Sequence, residues 1–398
     1  MISTPFDLVI VGAGISGLTL ARLSAQAGLR VLLLESSPTV GGAIRSARTS
    51  DGYWYELGAH TLYNSYGALI GHLESAGLMD KIQRRAKAPY RLLVDGKVRS
   101  VPSQINKGEL FASVWKAFTA RKAGKSVSEY YGSLVGRKNW KQVFSALFSA
   151  VPSQRADNFP AEMLFKKRER RKDLPRTFTL TGGLSTLVEA LAKHPNLEVR
   201  TEAPVLAIEK CGDGFNVQPQ FGEPIHATRV AVAVPADGAA TLLGSVLPDI
   251  AAVLGNLRTA TIASTGVVLR KEDLWLPTVA GLFPLSEDFF SIVSRDVVPH
   301  DRYRAASFHF KGETDRESRL ANIARVLRTT PDRFVHLADN LTTLPSPILG
   351  HADQVARLDA ALQTSGIFLT GNYFGGLAIE DCALRSQYEF NRLINERK

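Results

Sequence analysis

Only two cysteines occur in the 398 residues, Cys211 and Cys382, and neither has a histidine nearby at ligand spacing. A disulfide framework and a zinc site therefore find no support, no metal centre is expected, and the chain suits a reducing cytoplasm. Long apolar runs are missing as well. No window approaches the roughly 20 residues needed to cross a bilayer. The opening MISTPFDLVIVGAG has neither a basic stretch nor a cleavage site, so its apolar run is expected to be a strand of the fold rather than a leader. Internal repeats and low-complexity tracts are absent, which removes solenoid and fibrous classes. Acids are scarce in one place. Residues 81–176 hold 23 Lys or Arg against 7 Asp or Glu, a net +16 in a chain whose total is +10.

With 45% hydrophobic residues, the chain can bury a large core and is expected to divide into two or more lobes. Residues 6–35 read FDLVIVGAGISGLTLARLSAQAGLRVLLLE: an apolar strand, a glycine-rich turn, an amphipathic helix, a second apolar strand and a terminal acid. That is a dinucleotide fingerprint with its full context. Gly12 permits the tight turn, Gly14 lets backbone amides approach a pyrophosphate, and Gly17 lets the helix pack closely on the sheet. The phosphates are expected on the helix N-terminus, where free amides and the helix dipole favour an anion. Glu35 is placed to accept hydrogen bonds from the adenosine ribose and to repel a 2′-phosphate, which points to FAD or NAD over NADP. A second glycine turn with a base follows at once, Gly41, Gly42 and Arg45 in ESSPTVGGAIRS. Such a turn lets the chain pass beneath the ribityl and pyrophosphate groups while the guanidinium donates, which favours FAD. No Cys or His stands in an attachment motif, so the FAD is expected to be noncovalent.

The fold class is α/β: a two-lobed, Rossmann-type FAD-binding flavoprotein with a mixed-sheet substrate domain and a helical insert. Five segments are expected. Residues 1–80 open the FAD-binding domain, with Gly58 of GYWYELGAH allowing the backbone to pass near a flat ring. Residues 81–176 form a basic, mainly helical insert facing substrate or membrane, although 90–101 reads as a hairpin turning at Asp95-Gly96. Residues 177–250 return to the FAD-binding domain, 251–345 build the substrate-domain sheet, and 346–398 complete the FAD-binding domain through GIFLTGNYFGGLAIEDCALRSQYEF.

Within the basic segment, apolar residues recur at helical spacing: Phe111, Val114, Trp115 and Phe118, then Trp140, Val143, Phe144, Leu147 and Phe148 before Pro152. Two readings stand side by side. The stripes are either core faces with solvated bases opposite, or faces for an anionic membrane or an acidic ligand. The run KKRERRK at 166–172 lacks any accompanying nucleic-acid motif, so no nucleic-acid partner is expected.

The C-terminal third sharpens the reading. LPSPILGHADQVARLDAAL at 344–362, followed by GIFLTGNYFGGLAIEDC, resembles the pattern of the protoporphyrinogen oxidase family within the flavin amine oxidase superfamily. The resemblance covers most of the chain. It implies that Val205 contacts the adenine through its backbone and that Gly371, Asn372, Gly376 and Leu377 lie along the pyrophosphate and the flavin pyrimidine. Two departures stand out: Ala59-His60 replaces a proline-containing pair, and Pro345-Ser346-Pro347 replaces a proline, glutamine and aromatic.

The expected activity is that of an FAD-dependent oxidase removing hydride from a reduced ring substrate such as protoporphyrinogen IX, with dioxygen as acceptor. The catalytic candidates are His60 and Tyr63 beside the flavin, with Arg91 and Arg176 holding substrate carboxylates. The expected partners are a carboxylate-bearing small molecule, dioxygen and peripherally an anionic membrane, in the cytoplasm. An amine oxidase or desaturase of the same fold stays open, as does a redox-neutral flavoprotein such as a sugar-nucleotide mutase.

Overall fold

The computed structural model describes residues 6–363 and 365–396, and in it the run FDLVIV forms a strand, β1 (Phe6–Val11). Its side chains alternate between two cores. Leu8 and Ile10 enter the core on one face of the sheet, and Val9 and Val11 enter the core on the other. A strand buried on both faces reads as a continuous apolar run, the pattern visible in the sequence. It pairs in parallel with β2 (Val31–Leu34) on one side and with Ile225–Val232 on the other. Leu197–Arg200 extends the sheet beyond β2, while Ile367–Leu369 and the hairpin Val205–Cys211/Gly214–Pro219 share the far side of Ile225–Val232. Segments from both halves of the chain thus meet in one seven-stranded sheet.

Helix α1 (Ile15–Gln26) packs on one face of this sheet beside the C-terminal helix Ile379–Asn395, through Leu18, Ala21, Ala383 and Leu393. Helices Ala236–Leu243, Pro248–Gly255 and His351–Leu362 cover the other face. Among the described residues, no helix is long and apolar enough to cross a membrane.

The second lobe is another seven-stranded sheet, built around the long strand Thr259–Arg270 between His336–Pro345 and Tyr303–Lys311. Phe289–Ser294, Gly281–Pro284, Tyr90–Val94 and Lys97–Ser100 follow in that order to the opposite edge. The final hairpin turns at Asp95 (φ 48°) and Gly96 (φ 67°). Two successive positive φ values are what a two-residue hairpin turn demands, and Asp-Gly supplies them.

The start of the basic segment is therefore strand, not helix. Ile82–Arg84 pairs with Thr177–Leu180, and Tyr90–Ser100 caps the second sheet. Charge density does not distinguish helix from strand, and exposed Lys97 and Arg99 are the kind of residues that protect a sheet edge.

Helices begin at Lys107. Val127–Val135 and the helical stretch from Arg137 to Ala150 close around Val127, Trp140, Ala156, Phe159 and Leu164, with Tyr131, Phe144 and Phe148 packed against them. The second aromatic stripe is thus core. The first behaves oppositely: Phe111, Trp115 and Phe118 are exposed, while the side chain of Val114 lies outside the described residues.

Candidate active site

The two glycine turns face each other at the end of β1. Gly12 adopts φ +101°, and a Cβ there would come within 2.9 Å of the Ala233 carbonyl. At Gly17 a Cβ would fall 1.9 Å from the Gly12 carbonyl oxygen, so the helix sits as close to the turn as backbone permits. Gly14 differs: a Cβ on it would meet no protein atom within 4 Å. Gly14 is also the N-cap of α1, and no side chain caps that terminus. The first-turn amides consequently open on free space, where an anion is stabilised.

The second turn closes the cradle from the side. Gly41 donates to the Ala13 carbonyl at 2.8 Å, and a Cβ at Gly42 would stand 3.2 Å from the Gly14 Cα. Gly41 and Gly42 have φ of +119° and +57°, a region closed to most side chains. Glu35 accepts from the Ala13 N–H at 2.7 Å and the Ser37 N–H at 2.9 Å, fixing the tip of the first turn to the end of β2. Its own carbonyl accepts from the Ala203 N–H, which brings the start of strand Val205–Cys211 alongside. Arg45 bonds the Thr39 hydroxyl within the same loop. Gly58 runs against this loop, since a Cβ there would lie 2.1 Å from the Ala43 carbonyl.

The C-terminal turn reaches the same place. Ser386 donates to the Ser16 carbonyl at 2.8 Å and lies 2.8 Å from the Thr370 hydroxyl, joining the C-terminal helix to the start of α1. Gly371 follows directly, and Asn372 lines a small cleft with Pro235, Arg258 and Pro345. At Gly376 the chain passes so close to Asp381 that a Cβ would stand 2.5 Å from its carboxylate. Leu377 packs on the helical insert. Lys166 and Arg168 both reach Asp381, at 3.2 and 2.7 Å, and Lys166 also bonds the Gly375 carbonyl. Part of the basic run therefore clasps this turn.

Between the two lobes lies a cavity lined by Glu56, His60, Arg85 and Thr179 from one side and by Ser294, Arg295 and Ser307 from the other. Glu56 accepts from the Leu184 N–H at 2.8 Å and the Ser46 hydroxyl at 2.7 Å. Burial outweighs those bonds and pushes its carboxyl up to about 7. Burial, with Arg85 beside it, lowers His60 to about 4, and the His60 Nδ1 lies 3.3 Å from the Gly58 carbonyl. Behind it, His309 bonds the Ser264 hydroxyl at 2.9 Å and is lowered by burial to about 3. Both rings are neutral near pH 7.

The guanidinium of Arg295 lies 4.0 Å over the Trp54 ring and donates from Nε to the Trp54 carbonyl, while its buried Nη1 has no partner. Arg85 bonds the Thr61 hydroxyl and leaves its Nε unpartnered. Two cationic groups with spare donors thus converge on one cavity, whose one acid is held by burial near 7.

Of the catalytic candidates read from the sequence, only His60 lines this cavity. Tyr63 is 40% exposed, with its ring against Tyr66. Arg91 lies in strand Tyr90–Val94, next to the edge strand and opposite Leu282 and Ser100, and Arg176 is exposed at the entrance to Thr177–Leu180. Neither arginine lines the cavity; Arg85 and Arg295 take that place. Flanking an insert does not fix which bases point inward. Glu56 was visible as a lone acid in the apolar GYWYELGAH, whereas Arg295 becomes significant only when the two sheets close.

Residues 15–384 match the family model described as flavin containing amine oxidoreductase. A curated relative, the 15-cis-phytoene desaturase of Capsicum annuum, is 35% identical over 79 residues, which are 20% of this chain and 14% of the desaturase. Two solved structures share the fold over nearly full length. One, from Exiguobacterium sp. 255-15 and assigned to protoporphyrinogen oxidase, has a TM-score of 0.78 at 20% identity and is covered in full by this chain, itself covered in full. The other, wild-type putrescine oxidase bound to putrescine, has a TM-score of 0.68 at 17% identity over 98% of this chain and 99% of that one.

Proposed function

The chain belongs to the flavin containing amine oxidoreductases, with FAD as its cofactor, and on that premise we propose that it oxidises a reduced, carboxylate-bearing ring compound of the protoporphyrinogen IX type, passing electrons to dioxygen. The observation that carries this reading is the pairing of Arg85 and Arg295 on the inter-lobe cavity. Guanidinium forks match carboxylates, and spare N–H donors in a buried wall favour an anionic ligand. A protonated amine would meet two positive charges there. The aromatic pair that could cage an amine, Tyr373 and Phe374, is buried in the core of the FAD-binding sheet, with the guanidinium of Arg385 3.5 Å over Phe374. A long polyene would leave both arginines desolvated and unpaired, a cost that disfavours a desaturase.

FAD supplies the hydride acceptor when bound. The chain's own residues bind and orient. Arg85 and Arg295 hold the carboxylate, neutral His60 offers a hydrogen bond without adding a third positive charge, and Glu56 ties the Ser46 hydroxyl to the Leu184 backbone N–H.

Acid precipitation should release the flavin intact, because its attachment is noncovalent. Under anaerobic conditions the bound flavin should bleach with protoporphyrinogen IX and not with simple amines, and in air oxygen uptake should match substrate oxidised. Arg85→Gln and Arg295→Gln should each raise KM for the free acid by about 10- to 100-fold, the equivalent of a lost charged hydrogen bond. KM for the ester should change little. Equal losses for acid and ester, bleaching by amines alone, or turnover without oxygen uptake would each overturn the reading.

A further inference from the structure

One part of the basic insert takes no part in the site. Residues 107–118 form a helix, Lys107–Val114, continued by a 3-10 turn, Trp115–Phe118. Phe111, Trp115 and Phe118 lie at i, i+4 and i+7, on one face, and are 83%, 60% and 93% exposed. Single exposed apolar residues are ordinary, but three large aromatics on one short face are a patch that something covers.

Charge identifies the occupant. Residues 107–141 contain eight Lys or Arg and two acids. Both acids are engaged in local hydrogen bonds. Glu109 accepts from the Lys138 and Asn139 N–H groups at 2.9 Å each, and Glu129 closes a capping box with Ser126. Lys107, Lys116, Arg121 and Lys125 remain exposed around the aromatics. The face is apolar at its centre and cationic at its rim. Trp115 fits an acyl environment in a further respect: its indole N–H already donates to the Ala112 carbonyl at 2.9 Å, so burying the ring in lipid strands no donor. A second copy of the chain would bring two such cationic faces together, and like charges oppose that contact.

We propose that the Phe111/Trp115/Phe118 face seats the protein peripherally on an anionic lipid bilayer. The aromatics enter the headgroup and acyl boundary while the lysines stay with the lipid phosphates. Within the run at 166–172, Lys166 and Arg168 are instead tied to Asp381, and Arg171 to Glu74 and Asp173.

The test uses the full, FAD-loaded chain sedimented with vesicles of phosphatidylcholine alone or mixed with phosphatidylglycerol. Binding is expected only to the mixed vesicles, with a blue shift of tryptophan emission and weakening as salt is added. The double variant Phe111→Ser/Phe118→Ser should lose binding about tenfold or more, and so should Lys116→Glu/Arg121→Glu; both should retain wild-type FAD content and turnover of a soluble substrate. Equal binding to neutral vesicles, binding unaffected in both variants, no binding at all, or a concentration-dependent dimer abolished by the aromatic variant would each overturn the proposal. The last outcome would identify a second copy as the occupant.

Discussion

Gly14→Val is expected to yield a folded chain without FAD, whereas Gly17→Val should not fold. The two positions stand in one turn and differ in what surrounds them. Gly14 has extended backbone angles, φ −69° and ψ 177°, that valine adopts freely, and a Cβ there meets no protein atom within 4 Å. The added bulk projects into the space before the uncapped helix terminus, where the pyrophosphate belongs. FAD affinity should fall by at least about 100-fold, close to 3 kcal/mol, with a far-UV circular dichroism spectrum like that of the wild type. At Gly17 a Cβ would stand 1.9 Å from the Gly12 oxygen, so α1 must leave the sheet and expose Leu18 and Ala21. A cost above about 4 kcal/mol is expected from such displacement of a core helix, seen as loss of a cooperative melt. Full flavin occupancy in the Gly14 variant would remove the pyrophosphate from that place.

The cradle was legible in the sequence because its determinants are local. A strand buried on both faces, a turn needing glycine, and an acid ending the next strand all fall within 30 residues, and each follows from backbone sterics or periodicity. Asp95-Gly96 was legible for the same reason. Strand His336–Pro345 was not. Its sequence, HLADNLTTLP, is polar and only partly buried, and it is a strand because Thr259–Arg270 offers it a full ladder. The two aromatic stripes make the limit plain. Phe111/Trp115/Phe118 and Trp140/Phe144/Phe148 both recur at helical spacing, yet one is solvent-facing and the other is core. Periodicity reports that a helix has an apolar face; tertiary structure decides what covers it. Arg85 and Arg295 obey the same rule. Nothing near either one shows that they share a cavity, which exists only once Trp54–Glu56 is pressed between the two lobes.

Acidification should unfold the protein through its buried histidines, and Glu56 should partly oppose this. His72, in the helix Gly67–Ser75, is lowered by burial, with Arg22 adding, from 6.5 to about 4. His309 is lowered from 6.5 to about 3 by burial, with His60 adding. A base whose pKa is depressed by folding contributes stability that is complete above its unfolded value and is lost as pH falls toward its folded value. By pH 4 each histidine should cost about 3 kcal/mol. Glu56 has the opposite sign. Its pKa rises from 4.5 to about 7 on folding, so its contribution is complete below 4.5 and is lost as pH climbs through 7. Acidification returns about 3 kcal/mol through Glu56, while His60, lowered by burial to about 4, adds a further cost of about 3 kcal/mol; the net loss between pH 7 and 4 from these four groups is about 6 kcal/mol, a large part of the 5–15 kcal/mol typical of a folded domain. Glu56→Gln should remove the offset and steepen the loss to about 9 kcal/mol, while His72→Gln or His309→Gln should each flatten it by about 3. Urea unfolding free energies measured across that pH range, with released flavin fluorescence as a second readout, provide the test. If the histidine variants kept the wild-type slope, or Glu56→Gln made it shallower, these side chains would not be the groups that couple proton uptake to unfolding.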